Sequence, residues 1–400
     1  MINSKDKIPL ITITGDAISG EWGKESENGV GYPVLRTTNF CNDGTINFEN
    51  VVIRDIPHMK AEKKFLVCGD IIIEKSGGSD KQPVGRVVYF EAKENKYLFN
   101  NFTGVLRVKD HNIWCPKYVF YSLFYSYHKG DTVKFENKTT GLHNLQTDRF
   151  VKGQTIPWRD KAKQLKICSV LDVVSHLRSL RQQQLAKLDQ LAKSRFIEMF
   201  GDPVKNPRKW NFKTLLELGH CKNGLNFHNG ETGVRINCLG VGDFQNHSII
   251  DTTDNLPFIT VAEYPPKDYL LQDGDIVFVR SNGNKALVGR CLIVYPHDNP
   301  TTYSGFCIRF RQDSNDINAN FLLFVLKSDA IRKKMVGRGA NIQNLNQQIL
   351  ASLPIPVPPL HIQNEFAAFI EELDKSKVTI QKSLDRLNLL YKALLQEYFG

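Results

Sequence analysis

Two polar loops, each present twice, collect the side chains of this chain that could do recognition chemistry. The first loop is Lys75-Ser76-Gly77-Gly78-Ser79-Asp80-Lys81, and its second copy is Arg280-Ser281-Asn282-Gly283-Asn284-Lys285. Each opens on a cation followed by serine. Ammonium or guanidinium, hydroxyl, amide and glycine backbone together suit phosphate oxygens and base edges. The same composition also suits a plain polar hairpin turn. The second loop holds His143 and Asn144 in one copy and Arg338, Asn341, Gln343 and Asn344 in the other. Arginine can bond guanine, and asparagine or glutamine adenine, through two hydrogen bonds each. Any one of these residues alone is equally ordinary loop material.

Bond-making chemistry is harder to find. The sequence contains no G-x-x-x-x-G-K-[ST] phosphate loop. It lacks the Asn-Pro-Pro-[Tyr/Phe] element expected of an adenine methyltransferase, because Asn206-Pro207 is followed by Arg208. No acidic and lysine cluster stands out as a nuclease centre, and the ten histidines are scattered. The eight cysteines form no C-x-x-C pair and no zinc-like spacing with histidine, so they read as reduced thiols with no metal. The chain therefore reads as a binder with no catalytic residues. A net charge of +10 favours a polyanionic partner. The N-terminal stretch has no apolar secretory core and no run is long enough to span a bilayer, so a soluble cytoplasmic protein is expected.

The elements that must position these loops form a repeat. At a shift of 199, Ile156-Pro157 falls on Ile355-Pro356, Gln164 on Gln363, and Phe200-Gly201 on Phe399-Gly400. Upstream, at a shift of 204 or 205, Gly20 falls on Gly224, Gly69-Asp70-Ile71 on Gly274-Asp275-Ile276, and Val84-Gly85-Arg86 on Val288-Gly289-Arg290. Asn144-Leu145 falls on Asn344-Leu345. The order is module, helix, module, helix.

The modules read as strands at 51–56, 65–73, 85–90 and 103–109, and at 275–281, 289–296 and 305–311, with a helix at 116–128 and at 318–335. Each is expected to be one α+β domain with a curved sheet. In the second long helix, about 361–399, Phe366, Leu373, Ile380, Leu387 and Leu394 recur every seven residues. Ile370, Leu384 and Tyr391 fill the other row, with Lys377 as its one break. The first helix repeats this more weakly through Leu171, Val174, Leu185 and Leu188, with Arg178, Arg181 and Arg195 in the rows. Long arginine stems can lie along a seam and keep their charge in water. Each helix stops at Phe-Gly. A rod of about 50 Å, at about 1.5 Å per residue, cannot bury its stripe alone, so the two helices should pair with each other.

These residues resemble a known family. IPVPPLHIQNEF at the start of the second helix, and RQQQLAKLDQLAKSRFIEMFGDP ending the first, look like the two helical regions of type I restriction–modification specificity subunits. EWGKE, GYPVLRTTNF and GDIIIEKSGG with PVGR resemble one of that family's target recognition domains. The resemblance covers nearly the whole chain. It implies target recognition domains over 1–155 and 206–353 and spacer helices over 156–205 and 354–400, the helices pairing as an antiparallel coiled coil. Each recognition domain would read one half of a split, asymmetric DNA site. The helices would set the spacing and hold two modification (methyltransferase) subunits, which motor–nuclease subunits would join. S-adenosylmethionine, ATP and magnesium would belong to those partners. Arg36, Thr37 and Asn39 join the DNA-binding candidates through this resemblance. A fused or type II-like restriction–methylation system, and a coiled-coil scaffold whose modules bind protein, stay open as alternatives. One departure is Ile156-Pro157-Trp158-Arg159-Asp160, where the second copy is proline-rich, and it suggests that the first helix begins at a different angle.

Overall fold

The computed structural model describes residues 6–93, 96–139, 142–228, 230–244, 248–336 and 344–400. Two compact units divide the chain: residues 1–182 with 382–400, and residues 183–381. Each unit is thus one module plus one half of each long helix.

In the first unit, Ile71–Glu74 is central to an antiparallel sheet that runs Ile18–Ser19, Thr103–Leu106, Ile71–Glu74, Val87–Tyr89. Its residues are buried on both faces. Ile71, Ile73 and Val87 meet the helix Pro116–Lys129, whereas Ile72, Val88 and Val105 meet Leu35, Phe40, Phe90 and Phe99. That is why this stretch is a continuous apolar run rather than an alternation. A second sheet, absent from the sequence reading, runs Lys24–Glu25, Val52–Asp55, Tyr32–Leu35, Leu98–Phe99, and its last pair is parallel. The expected single curved sheet is therefore divided: 52–55 belongs to this second sheet, and Glu136–Thr139, Leu142–Leu145 and Ser76–Gly78 form a third. Pro116 opens the helix and Gly130, at φ 89°, closes it in the left-handed region only glycine takes freely.

The second unit repeats this plan. Its main sheet runs Gly219–Asn223, Cys307–Gln312, Asp275–Val279, Cys291–Val294, Ile249–Ile250. Its second sheet runs Phe258–Val261, Val234–Leu239, Thr301–Tyr303, again with one parallel pair. The helix expected over 318–335 is two helices, Ala319–Lys327 and Asp329–Val336. Ser328 breaks them apart by taking an extended ψ of 143° and offering its hydroxyl to the Ile331 N–H.

The long helices span Lys161–Phe200 and Leu360–Phe399. The strand before each pairs with the first strand of its own module: Thr155–Pro157 with Lys7–Pro9, and Pro354–Val357 with Asn211–Thr214. Despite the sequence difference, the two helices start at equivalent positions, Lys161 and Leu360. In both helices the first-turn glutamine bonds back to a preceding carbonyl, Gln164 to Arg159 at 2.8 Å and Gln363 to Pro358 at 2.7 Å.

The helices run antiparallel inside each unit. In the second unit, Asp189 meets Lys377 at 2.8 Å and Arg195 meets Glu365 at 3.0 Å. In the first, the Arg178 guanidinium donates to Asn388 at 2.7 Å and lies 4.5 Å above the Tyr391 ring. Three polar breaks in the seam, Arg178, Arg195 and Lys377, are thus cross-helix partners. Leu171, Val174, Phe366, Leu373, Leu384 and Tyr391 are buried, and Leu185, Leu188, Ile370, Ile380, Leu387 and Leu394 half-buried. Toward the C-termini the spacing becomes four. Phe196 and Phe200, one turn beyond buried Ala192, turn into the second module's core, and Tyr391, Leu395 and Phe399 into the first's.

Candidate nucleic-acid interface

The two loops that sequence alone left separate are joined by backbone hydrogen bonds in both units. In the first, Ser76–Gly78 is a strand that pairs with Leu142–Leu145, setting Ser76 opposite Asn144. The Leu145 N–H donates to Lys75 O at 2.8 Å. In the second, Ser281 bridges Asn344, and the Leu345 N–H donates to Arg280 O, also at 2.8 Å. A third segment meets them. Lys75 and Ser76 donate their N–H groups to Phe102 O at 2.8 and 3.3 Å, as Arg280 and Ser281 do to Phe306 O. One backbone frame therefore presents a cation, a serine, an asparagine and a phenylalanine in each unit.

The two strands that lead to the frame are tied at their far ends by an ion pair whose carboxylate is buried, which sequence alone does not identify. Asp70 accepts two bonds from Arg107 at 2.7 Å each, and Asp275 accepts two from Arg311 at 2.8 and 2.7 Å. Each arginine also donates to a loop carbonyl, Phe65 or Leu270, at 2.9 Å. The Asp70 hydrogen bond raises the pKa of Arg107 above its ordinary value. For Arg311, burial opposes the charge and the Asp275 carboxylate outweighs it. The shared Gly-Asp-Ile motif was the signal for this pair, since an aspartate inside an apolar strand needs a partner.

Side chains on the frame differ between the units. Lys75 is half-buried, and burial lowers its ammonium pKa. Gly77 is exposed with φ 110°. Arg280 is half-buried and donates to Gly305 O at 3.3 Å. The side-chain oxygens of Asn282 and Asn284 accept from the N–H groups of Asn284 and Ala286, at 2.7 and 3.1 Å, and so shape their own loop. Lys285 is exposed. Arg338, Asn341 and Gln343 lie outside the described residues.

Two candidates, His143 and Asn39, are buried side chains with structural work. His143 is 7% exposed, with Nδ1 3.2 Å from Glu136 and Nε2 3.6 Å from Asp80. Asn39 is 3% exposed. Its Oδ1 accepts from the Arg36 N–H at 2.9 Å and its amide donates to Asn47 O at 3.0 Å, so it closes a turn. Asp243 does the same for Gly240 in the second unit. The Arg36 guanidinium donates to Asn50 O at 3.2 Å, and the Thr37 carbonyl accepts from Arg86 at 3.3 Å.

Arg86 and Arg290 were visible as a repeat but not as a contrast. Arg86 makes two 2.9 Å bonds to Glu74. Val279 stands where Glu74 would be, with the same backbone pairing, so half-buried Arg290 has no carboxylate from that strand. Among the described residues no cluster of histidine, cysteine or acidic side chains could hold a metal ion, and no helix is long and apolar enough to cross a membrane.

The chain matches the type I restriction modification DNA specificity domain over residues 10–190 and again over 207–389. The chain belongs to that family. The two matches fall on the two repeats, and specificity subunits of type I systems are not catalytic by themselves. This family member is similar to the type I restriction enzyme StySPI specificity subunit of Salmonella potsdam, 26% identical over 394 residues that cover 92% of this chain and 81% of that one. It is also similar to the EcoKI specificity subunit of Escherichia coli K12, 24% identical over 401 residues with the same coverage. A crystal structure of the type I restriction–modification S subunit from M. genitalium shares its fold, with a TM-score of 0.60 at 16% identity, over 99% of this chain and 96% of that one. The tandem mixed α and β modules with long helices are thus the fold of this specificity family.

Proposed function

We propose that this chain is the subunit that chooses the DNA sequence for a type I restriction–modification complex, each unit reading one half of a bipartite, asymmetric site. The observation that carries the reading is the doubled frame. Lys75, Ser76 and Asn144 in one unit, and Arg280, Ser281 and Asn344 in the other, hang on the same backbone bonds. The loops around them differ, Gly77-Gly78 against Asn282-Gly283. A shared scaffold with different outward groups suits two different half-sites.

In this reading the paired helices set the spacing of the half-sites and dock two methyltransferase subunits, and motor–nuclease subunits complete the assembly. S-adenosylmethionine, ATP and magnesium act on those partners. The test is coexpression with the modification subunit, followed by mapping of methylated adenines. Methylation at one split motif, with one half changed by exchanging one module, is expected. A methylation pattern indifferent to module exchange overturns the reading.

A further inference from the structure

We infer that Phe102 and Phe306 are base-contacting side chains, one in each unit, that press an aromatic ring against bases of the half-site that unit reads. The inference rests on the function proposed above and adds the contact that phosphate-binding groups cannot supply.

Phe102 is 52% exposed and Phe306 62% exposed. A single exposed phenylalanine is unremarkable on a protein surface. Here the same exposed residue type recurs at the same place in two units whose neighbouring loops have diverged. Both turns are pinned. Each two-residue tip, exposed Asn101 with Phe102 and half-buried Gly305 with Phe306, is bracketed by buried residues: Asn100 and Thr103 in one unit, Ser304 and Cys307 in the other. The carbonyl of each phenylalanine is held by the two N–H groups of the cation–serine pair. Beneath each turn lies a glycine that nothing larger can replace. A Cβ on Gly20 would stand 2.0 Å from Asn100 O, and one on Gly224 2.1 Å from Ser304 O. The ring is therefore presented on a backbone that has no slack, and presented next to Lys75 or Arg280.

A phenylalanine offers no hydrogen-bond donor, so phosphate is the wrong partner. Thymine methyl groups and the faces of partly unstacked bases are the apolar surfaces a duplex offers. The neighbouring cation and serine suit the phosphates flanking such a base. This division of labour gives the two residue types separable signatures. Removing a phosphate contact lowers the salt dependence of binding, whereas removing an apolar base contact lowers sequence discrimination and leaves the salt dependence alone.

The experiment uses the complex of this chain with its modification subunit and duplexes carrying the mapped site, one altered half-site, or neither half. Phe102→Ala is expected to weaken binding to the intact site by about tenfold, the scale of one lost base contact. Its ability to discriminate should fall at the half-site read by the first unit alone. Phe306→Ala should do the same at the other half. Affinity for unrelated DNA, the slope with salt and retention of the modification subunit should stay at wild-type values. Leucine at either place should restore part of the loss. Discrimination at both half-sites unchanged in both alanine variants, in a wild-type complex that does discriminate, overturns the inference and leaves the proposed function standing. Loss of the modification subunit from either variant overturns it in favour of a protein contact. A wild-type complex that binds all three duplexes alike overturns the proposed function and the inference with it.

Discussion

Gln164 and Gln363 make the same three hydrogen bonds in the two units. Gln164 accepts the Cys115 N–H at 2.8 Å and donates to the carbonyls of Ile113 and Arg159 at 3.0 and 2.8 Å. Gln363 accepts the Asn318 N–H at 2.9 Å and donates to those of Asp316 and Pro358 at 3.0 and 2.7 Å. Both side chains are fully buried. Each ties the first turn of a long helix to the loop before a module helix. Module and helix are thereby fixed together by a group whose amide is used on both sides.

Replacing either glutamine by leucine would leave buried backbone groups without partners, at a cost of at least about 2 kcal/mol. The expected result is local. Q164L should increase amide exchange in the first unit and Q363L in the second, each with a fall in denaturant midpoint. Equal loosening of both units by either variant would contradict the separate anchoring of each.

The Asp70–Arg107 and Asp275–Arg311 pairs lead to a second expectation. Asp70→Asn or Asp275→Asn leaves a half-buried guanidinium without its counter-charge, which costs about 1–3 kcal/mol, below the scale of a fully buried pair because the arginine is partly in water. Replacing both members of one pair with leucine and methionine should recover much of the loss, because the penalty comes from the orphaned charge. A double variant no more stable than the single one, measured by thermal melting, would show that the bonds to Phe65 O or Leu270 O matter more than the ion pair.

The repeat, the long helices and the meeting of the cation–serine loop with Asn144 or Asn344 differ in how far the sequence shows them. Forty-residue helices carry apolar periodicity and a Phe-Gly stop, so they were legible. Phe200 and Phe399 read in the sequence only as helix stops, yet they are core residues, one in each module, and the four-residue spacing that marks this is too short to stand out. The second sheet in each unit was hidden: strands such as Leu98–Phe99 are two residues long and buried, too short to show a period. Asn39 enters through the resemblance of its segment, and an asparagine that closes a turn has the same letter as one that reads adenine. The exposure of Phe102 and Phe306 had no signature at all, since a phenylalanine in a β-rich segment reads as core.

Arg280 and Lys375 separate recognition from surface charge. Arg280 belongs to the frame, and Lys375 is an exposed helix residue paired with Glu372 at 2.7 Å. Arg280→Ala should weaken methylation of the mapped site by about tenfold, through one lost contact to phosphate or base. Lys375→Ala should leave it within about twofold, as expected of a solvent-screened surface ion pair. Methylation assays on the coexpressed complex decide this, and equal losses in the two variants would remove the frame from the interface.

Lys377 occupies a seam position that the heptad pattern reserves for an apolar residue, yet it is half-buried and lies 2.8 Å from Asp189 and 3.3 Å from Asp374. Burial alone would lower its pKa, and the two carboxylates reverse the direction and raise it, so the ammonium stays charged. Such a group contributes little net stability, because the cost of removing it from water nearly offsets the attraction. Its value lies in register: sliding one helix past the other by a turn would take Lys377 from Asp189 and set it against apolar neighbours. Lys377→Met should therefore leave the melting temperature unchanged or raise it, while loosening the specification of register. Cross-linking between cysteines introduced at Gln190 and Ser376 would report that loosening as additional cross-linked pairings at neighbouring positions. A fall in stability of more than about 1 kcal/mol in K377M, with a single cross-linking register retained, would reverse the assignment and make Lys377 a stabilising group.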